Sequence, residues 1–246
     1  MARPKKKPLY DAEKIMKELL KAVKESYDET GELKQTAEEF DMSPLKIRKL
    51  LITAGAYSND FSDEVIYLHK KGKNVAEIQQ ITGLGKSSVN GYLPYTKAIY
   101  KPDELSLNAE RIKVFRDRQQ AVKALSEDMS EVNLWEAVIA FQNYPFHTAT
   151  GLPFTYELKK GRNKGYNKEL IISRRTESKT VVWSSVLLAF QKAMDLQGEV
   201  IERPKALGDI RGISYICPML YRFGIIEVPE NVAKKMALKR PLRKGK

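Results

Sequence analysis

The chain has 246 residues, of which 42% are hydrophobic, so two or three domains with sizeable cores are expected. Its 43 lysine and arginine residues exceed its 31 aspartate and glutamate residues by 12, a balance that favours a polyanionic partner. A single cysteine, Cys217, excludes an intrachain disulfide, and no apolar run approaches the roughly 18 residues of a membrane span. These features predict a cytoplasmic protein without a membrane partner.

The positive charge is unevenly distributed along the chain. Residues 1–132 hold 23 basic and 21 acidic side chains, whereas residues 133–246 hold 20 basic and 10 acidic ones. The stretch 234–246 alone has seven cations and no acid, which predicts a disordered polybasic tail that adds salt-sensitive affinity. Most of the net charge therefore lies in the C-terminal half.

The first nine residues form a basic arm with two prolines, four cations and little to bury, so it is expected to be disordered. Arg3-Pro4 with flanking lysines resembles a minor-groove arm of the AT-hook type. The resemblance implies that Arg3 enters the narrow groove of A·T-rich DNA. A solvated basic tail is the alternative interpretation.

A first trihelical unit is predicted over residues 10–57. Its helices cover 11–27, 33–40 and 44–54, with Asp11 capping the first and a Ser43-Pro44 start for the third. The turn at Asp41 lies between the last two helices, in the arrangement of a helix-turn-helix. The third helix exposes Arg48 as the candidate for base contact and Lys46 and Lys49 as candidates for phosphate contact. A solvated basic face is the alternative.

A second helix-turn-helix is predicted over residues 58–97. A first helix capped by Ser62 leads into Asn74–Leu93, in which Ile78 and Ile81 give the inner face and Gly83 makes a left-handed turn. The following helix is the one that this motif lays in the DNA major groove. Its outward positions are Gly85, Lys86, Ser87, Asn90 and Gly91, with Ser88 beside them at the start of the helix. Asparagine pairs with adenine, lysine with guanine or phosphate, and serine with either. A plain helical hairpin is the alternative.

The stretch Phe61–Tyr95 resembles the helix-turn-helix of resolvase-type and sigma-factor region-4-type DNA-binding modules. The shared features are the turn glycine, the hydrophobic residue after it and the polar start of the second helix. The whole chain is also similar to uncharacterised bacterial helix-turn-helix proteins that open with a basic arm. The resemblance implies a role in bacterial transcription or mobile-element biology, and it implies no activity for the C-terminal half.

Residues 98–131 are predicted to be a charged helix and a linker. The helix covers 106–125 and has a narrow apolar stripe of Ile112, Phe115 and Val122, which is typical of a spacer or pairing helix more than of a core helix.

Residues 132–230 are predicted to be a small α+β domain. A helix over 132–142 precedes two strands, 153–159 and 168–173, joined by a long hairpin tip. A long helix is expected over 178–196, and its N-terminus with Arg174 and Arg175 forms a candidate anion site. A last helix is expected over 212–223, kinked or started at Pro218. Seven cations surround the hairpin and favour contact with nucleic acid, with a solvated loop as the alternative: Lys159, Lys160, Arg162, Lys164, Lys168, Arg174 and Arg175.

Catalytic constellations are not found in the sequence. His69 and His147 are far apart, and one cysteine cannot form a zinc cluster. Glu157 and Lys159 have the Glu-x-Lys spacing of some metal-dependent nucleases, with Glu136 or Glu169 as a partner carboxylate. Alternating charge on an exposed strand gives the same spacing. We therefore expect no enzyme, no catalytic residue, no metal ligand and no cofactor.

The expected fold is a mostly α N-terminal region with tandem helix-turn-helix units, followed by a small α+β C-terminal domain with a basic β-hairpin and a tail over 231–246. The expected function is sequence-specific binding of double-stranded DNA, as a bacterial regulator of transcription or of a mobile element that acts by occupying its site. A homodimer is a further expectation. The alternatives are a metal-dependent nuclease or recombination accessory factor and a phage-type protein-interaction inhibitor. The candidate DNA-binding residues are Arg3, Lys46, Arg48, Lys49, Lys86, Ser87, Ser88, Asn90, Arg162, Lys164, Arg174 and Arg175.

Overall fold

A computed structural model describes residues 11–98, 103–161, 165–174 and 178–236. The chain divides into two compact units, Met1–Arg116 and Asp117–Lys246. The first is helical and the second combines helices with a four-stranded antiparallel sheet, which confirms the predicted fold class. Within the described residues, no helix has the length and apolarity needed to cross a membrane. The predicted arm and the end of the predicted tail, 237–246, lie outside the described residues.

The first unit begins with three helices, α1 (Ala12–Thr30), α2 (Leu33–Glu39) and α3 (Pro44–Thr53). As predicted, the Asp11 side chain caps α1, and Ser43 caps α3 by accepting a hydrogen bond from the Lys46 amide at 3.3 Å. The turn between α2 and α3 places Asp41 at φ 47°, in the left-handed region that its short polar side chain tolerates. Local signals therefore define these helices well.

A second trihelical group follows, with α4 (Asp60–Lys70), α5 (Val75–Thr82) and α6 (Lys86–Tyr92). Its small core consists of Val65, Ile78, Val89 and Leu93. The prediction that Ile81 faces inward is wrong, since this side chain is 53% exposed; Ile78, Val75 and Leu84 already fill the part of the core that α5 reaches. The predicted cap of α4 is also corrected. Asn59 is the capping residue, and the Ser62 hydroxyl oxygen accepts a hydrogen bond from the Asn59 amide at 2.8 Å.

Helix α7 (Asp103–Glu127) begins in the first unit and ends in the second. Its Phe115 is 1% exposed and packs on Phe40, with ring centroids 5.2 Å apart, and Arg116 forms an ion pair with Glu25. Farther along the helix, Leu125 is 1% exposed in the core of the second unit. The predicted spacer or pairing helix is therefore a core element. Its apolar stripe is narrow in sequence because its residues are divided between two cores.

The second unit continues with α8 (Glu131–Ala140) and the sheet, in the order β1-β2-β3-β4. The strands are β1 (Phe146–His147), β2 (Pro153–Lys160), β3 (Tyr166–Ser173) and β4 (Ser178–Val182). The predicted hairpin is the β2–β3 pair, in which Tyr156 lies opposite Ile172. After the sheet come α9 (Trp183–Asp195), a 3₁₀ turn (Pro204–Leu207), α10 (Ile213–Arg222) and α11 (Glu230–Met236).

Two predicted boundaries in this unit are corrected. Residues 178–182 are a strand and not the start of a helix, because the β-branched run at Thr180 pairs with Ile171 of β3. Helix α9 begins at Trp183, so the anion site predicted at the Ser178 helix terminus lacks that terminus. The helix expected over 212–223 is confirmed as α10, which runs through Pro218 and does not start there. Residues 231–236 of the predicted tail belong to α11, whose Met236 is 6% exposed.

The sheet has one buried face and one exposed face. The buried face packs on helices, and the Tyr156 hydroxyl donates a hydrogen bond to the carbonyl of Val138 in α8 at 2.8 Å. Burial raises the pKa of Tyr156 well above its usual value. Cys217 also lies in this core, and burial raises the pKa of its thiol to about 12. The Cys217 thiol is therefore protonated at neutral pH.

The packing of α7 gives a stability prediction. Phe115→Ala should lower the free energy of unfolding by about 3–5 kcal/mol, because it removes a fully buried ring from the first core. Val114→Ala is the matched control, since this neighbouring side chain is 38% exposed. Urea unfolding followed by circular dichroism measures both. Equal losses for the two variants would contradict the assignment of α7 to the core.

Candidate nucleic-acid interface

The turn between α5 and α6 has the geometry that the sequence predicts. Gly83 ends α5 at φ 70°, and its amide donates a hydrogen bond to the carbonyl of Gln79 at 2.9 Å. At the other end of α5, Asn74 and Glu77 form a capping box. A hydrogen bond from the ammonium of Lys73 lowers the pKa of Glu77. Helix α5 is therefore fixed at both ends, and its last turn directs the chain into α6.

Helix α6 presents a polar face to solvent. Lys86, Ser87, Ser88 and Asn90 are exposed, whereas Val89 is fully buried against α4 and α5. The Asn90 side-chain amide donates a hydrogen bond to the carbonyl of Lys86 within the same helix at 3.0 Å. Ser87, Ser88 and Asn90 are short polar side chains on a short helix, and Lys86 adds one cation. The exposure expected of these four side chains is found, and their contact with DNA stays a prediction.

The main departure from the expected arrangement is that α3 packs against α6. The Lys49 ammonium donates a hydrogen bond to the carbonyl of Asn90 at 2.7 Å. The Arg48 guanidinium lies over the Tyr92 ring, 4.1 Å from its centroid. Gly91 leaves space for that guanidinium, because a Cβ at Gly91 would lie 3.1 Å from Arg48 Nη2. Both predicted reading helices therefore belong to one packed structure.

A third cation of α3 also has a partner within the unit. The Lys46 ammonium lies 3.5 Å from a carboxylate oxygen of Glu104 in α7. Near the end of α3, the Tyr95 amide donates a hydrogen bond to Thr53 Oγ1 at 3.0 Å, and the Lys49 ammonium lies 4.8 Å from the Tyr95 ring. DNA contact by Lys46, Arg48 and Lys49 stays a prediction. Their partners show that all three have structural contacts, which the spacing of residues in α3 alone does not reveal.

The candidate residues of the second unit are only partly placed. Arg162, Lys164 and Arg175, like Arg3 of the arm, lie outside the described residues. Arg174 donates a hydrogen bond to the Tyr215 hydroxyl at 3.4 Å. The Lys168 ammonium lies 3.0 Å from Glu131, which also accepts a hydrogen bond from the Trp183 indole at 2.9 Å. These two hydrogen bonds lower the pKa of Glu131, the indole being the larger cause. Lys168 therefore covers a pair of tryptophans, Trp135 and Trp183.

Of the residues of the alternative nuclease site, Glu157, Lys159 and Glu169 share one sheet face, whereas Glu136 lies apart from them. Glu157 and Lys159 lie on the exposed sheet face, and the Lys159 ammonium is 3.1 Å from Glu169. Glu136 belongs to α8, which packs on the face that carries Tyr156 and not on the face of Glu157. Within the described ranges, no group of three or more histidine, cysteine, aspartate or glutamate residues is arranged to hold a metal ion.

Comparisons with protein-family models, with curated proteins and with solved structures found no match. The functional interpretation therefore depends on the geometry of α5 and α6 and on the chemistry of the side chains that α6 exposes.

The turn geometry predicts a difference between two neighbouring glycines. Gly83→Ala should lower the free energy of unfolding by about 1 kcal/mol, because a Cβ is disfavoured at φ 70°. Gly85→Ala is the control: Gly85 has φ −68° and no atom within 4 Å of an added Cβ. Its effect should be within a few tenths of a kcal/mol, since a weaker helix cap is offset by reduced freedom of the unfolded chain. Thermal unfolding of both variants measures the difference, and similar stabilities would contradict a left-handed conformation at Gly83.

Proposed function

We propose that this protein binds double-stranded DNA in a sequence-specific manner and regulates bacterial transcription or a mobile element by occupying its site. The observation that carries the proposal is the exposed polar face of α6, directly after the left-handed turn at Gly83 and on a closed three-helix core. The proposed activity is binding alone, without catalysis or a cofactor. The proposed setting is the cytoplasm, and a homodimer is part of the proposal.

The dimensions and chemistry of α6 suit the major groove. Its seven residues give a length of about 10 Å, and a groove about 12 Å wide admits a helix with side chains at its start pointing to the base edges. Lys86 and Ser87 lie in the first turn, and Asn90 lies one turn later on the exposed face. The Asn90 amide can exchange its exposed bond to the Lys86 carbonyl for the N7 and N6 groups of adenine.

The net positive charge also favours DNA as the partner, through electrostatic attraction that is separate from base contacts. The whole chain carries +12, and Lys159 and Lys160 are exposed at the end of β2. Cations near a duplex release condensed counterions, which gives attraction without sequence preference. We therefore assign discrimination among sequences to α6 and much of the overall affinity to the excess of cations.

The reading face gives two variants with different expected effects. Asn90→Ala should reduce discrimination at one base pair by about 1–3 kcal/mol, because a bidentate contact to that base is lost. Lys86→Ala should either relax another position or, if the lysine contacts phosphate, weaken all sequences equally and lower the salt slope by about 1. Selection from a randomised duplex library, followed by salt titrations on the enriched site, measures both effects.

Lys21→Ala is the matched control for the loss of one charge, since Lys21 is exposed on α1. It should leave the preferred sequence unchanged. If Asn90→Ala and Lys86→Ala also left both the preferred sequence and the salt slope unchanged, the assignment of α6 as the reading helix would be wrong.

The basic C-terminus gives a separate prediction. Deleting residues 237–246 removes five cations and should weaken binding to all duplexes by the same factor, with a smaller dependence on salt. The deletion starts after Met236 because that side chain is buried in the second core. Titration of a preferred and a scrambled duplex over a range of salt concentrations is the measurement. A loss confined to the preferred duplex would contradict a purely electrostatic role.

A further inference from the structure

We infer that each chain reads one contiguous block of duplex, and that α3 supports α6 instead of reading a second block. The inference rests on the proposed function, and it specifies the class of DNA site. A protein with two independent helix-turn-helix units would favour a bipartite site for a single chain. The packing of α3 against α6 excludes that arrangement.

The distance between α3 and α6 is the first step. Lys49 of α3 and the backbone of α6 are joined by a 2.7 Å hydrogen bond, and Arg48 of α3 is stacked on Tyr92 of α6. Helices in such contact have axes roughly 8–10 Å apart. Successive major grooves on one side of a duplex are about 34 Å apart. With this contact intact, α3 and α6 of one chain cannot lie in successive grooves.

The C-terminal end of α6 depends on a contact from α3. In a continuing helix, the carbonyl of Asn90 would accept a hydrogen bond from the amide of residue 94. Residue 94 is proline, which has no amide hydrogen. The Lys49 ammonium occupies the position of the missing donor. A cation at this end of a helix is also favourable to the helix dipole. Lys49 therefore completes the last turn of α6, directly behind the side chain that we assign to base contact.

The Arg48 side chain is engaged by α6 and is not extended toward a base. Direct reading of guanine requires the guanidinium fork to reach the N7 and O6 atoms of the base. In the structure the guanidinium lies on the Tyr92 ring and beside Gly91, and its Nε atom is buried without a hydrogen bond. The side chain is thus directed at α6. Arg48 and Lys49 are positioning residues, and Asn90 and Lys86 are the residues that meet the DNA.

The length of the DNA block follows from α6 itself. Its seven residues span about 10 Å, and stacked base pairs are about 3.4 Å apart. One chain should therefore specify a contiguous block of about three to six base pairs. Two such blocks about ten base pairs apart would need two chains.

Selection of the full-length protein against randomised duplexes, with the protein-to-DNA ratio measured by analytical ultracentrifugation, tests this inference. We expect one block at a ratio of one chain per duplex, and paired blocks only at two chains per duplex. Two blocks about ten base pairs apart with a single chain bound would overturn the inference and leave the proposed function standing. Absence of any enriched sequence would overturn both.

Variants of the contact test the positioning role. Arg48→Ala and Lys49→Met should each weaken binding to all sequences several-fold while the preferred sequence and the salt slope stay the same, because they alter α6 without removing a base or phosphate contact. Tyr92→Ala should resemble Arg48→Ala. The double variant with both substitutions should lose little more binding affinity than either single variant, because both remove the same contact. Tyr92→Phe keeps the aromatic ring under Arg48 and should bind like the unaltered protein, as should the Lys21→Ala control. Loss of preference at one base position in Arg48→Ala alone would show that Arg48 reads a base, and would overturn the assignment.

Discussion

A helix of seven residues cannot be stable by itself, and this constraint governs the N-terminal unit. Isolated helices need roughly 12–15 residues even for favourable sequences. Helix α6 has only Lys86–Tyr92, no side-chain cap at Gly85, and a proline directly after Leu93. Its stability must therefore come from the structure around it. Val89 and Leu93 anchor it on α4 and α5, and the Lys49 hydrogen bond to the Asn90 carbonyl completes its last turn.

This requirement explains why the cations of α3 lie where they do. A helix that inserts into a groove must keep one polar face open, so its support can come only from the remaining sides. The core of the second trihelical group supplies one side, and Arg48 with Lys49 supplies another. The α1–α3 group is in turn held by α7, whose Phe115 closes its core. Packing contacts therefore connect α7 to α3 and α3 to α6, and they stabilise α6.

Elements with local determinants can be predicted from the sequence, whereas elements that depend on a tertiary partner cannot. Gly83, the Asp11 cap and the β2–β3 hairpin follow from backbone preferences and short-range pairing. The apolar pattern of α9 continues without a break through Val181 and Val182 and so predicts a helix at 178–182, but pairing with β3 makes this segment a strand. The role of Arg48 depends on a tyrosine and a glycine more than forty residues away, and no spacing within α3 indicates that contact.

The net positive charge of the chain and the proposed sequence preference of α6 lie in different parts of the molecule. The second unit has 22 basic and 14 acidic residues, so even if every acid were paired, an excess of eight cations would remain. Ion pairs such as Lys168 with Glu131 therefore position surface side chains without cancelling the net positive charge of the unit. The first unit has 21 basic and 17 acidic residues, and α6, the proposed reading helix, contributes a single lysine. A helix with so little charge gains little from phosphate attraction, so in the proposed complex hydrogen bonds to base edges supply its share of the binding free energy. Since hydrogen bonds are much less sensitive to salt than counterion release, discrimination by α6 should persist at salt concentrations that greatly weaken total affinity.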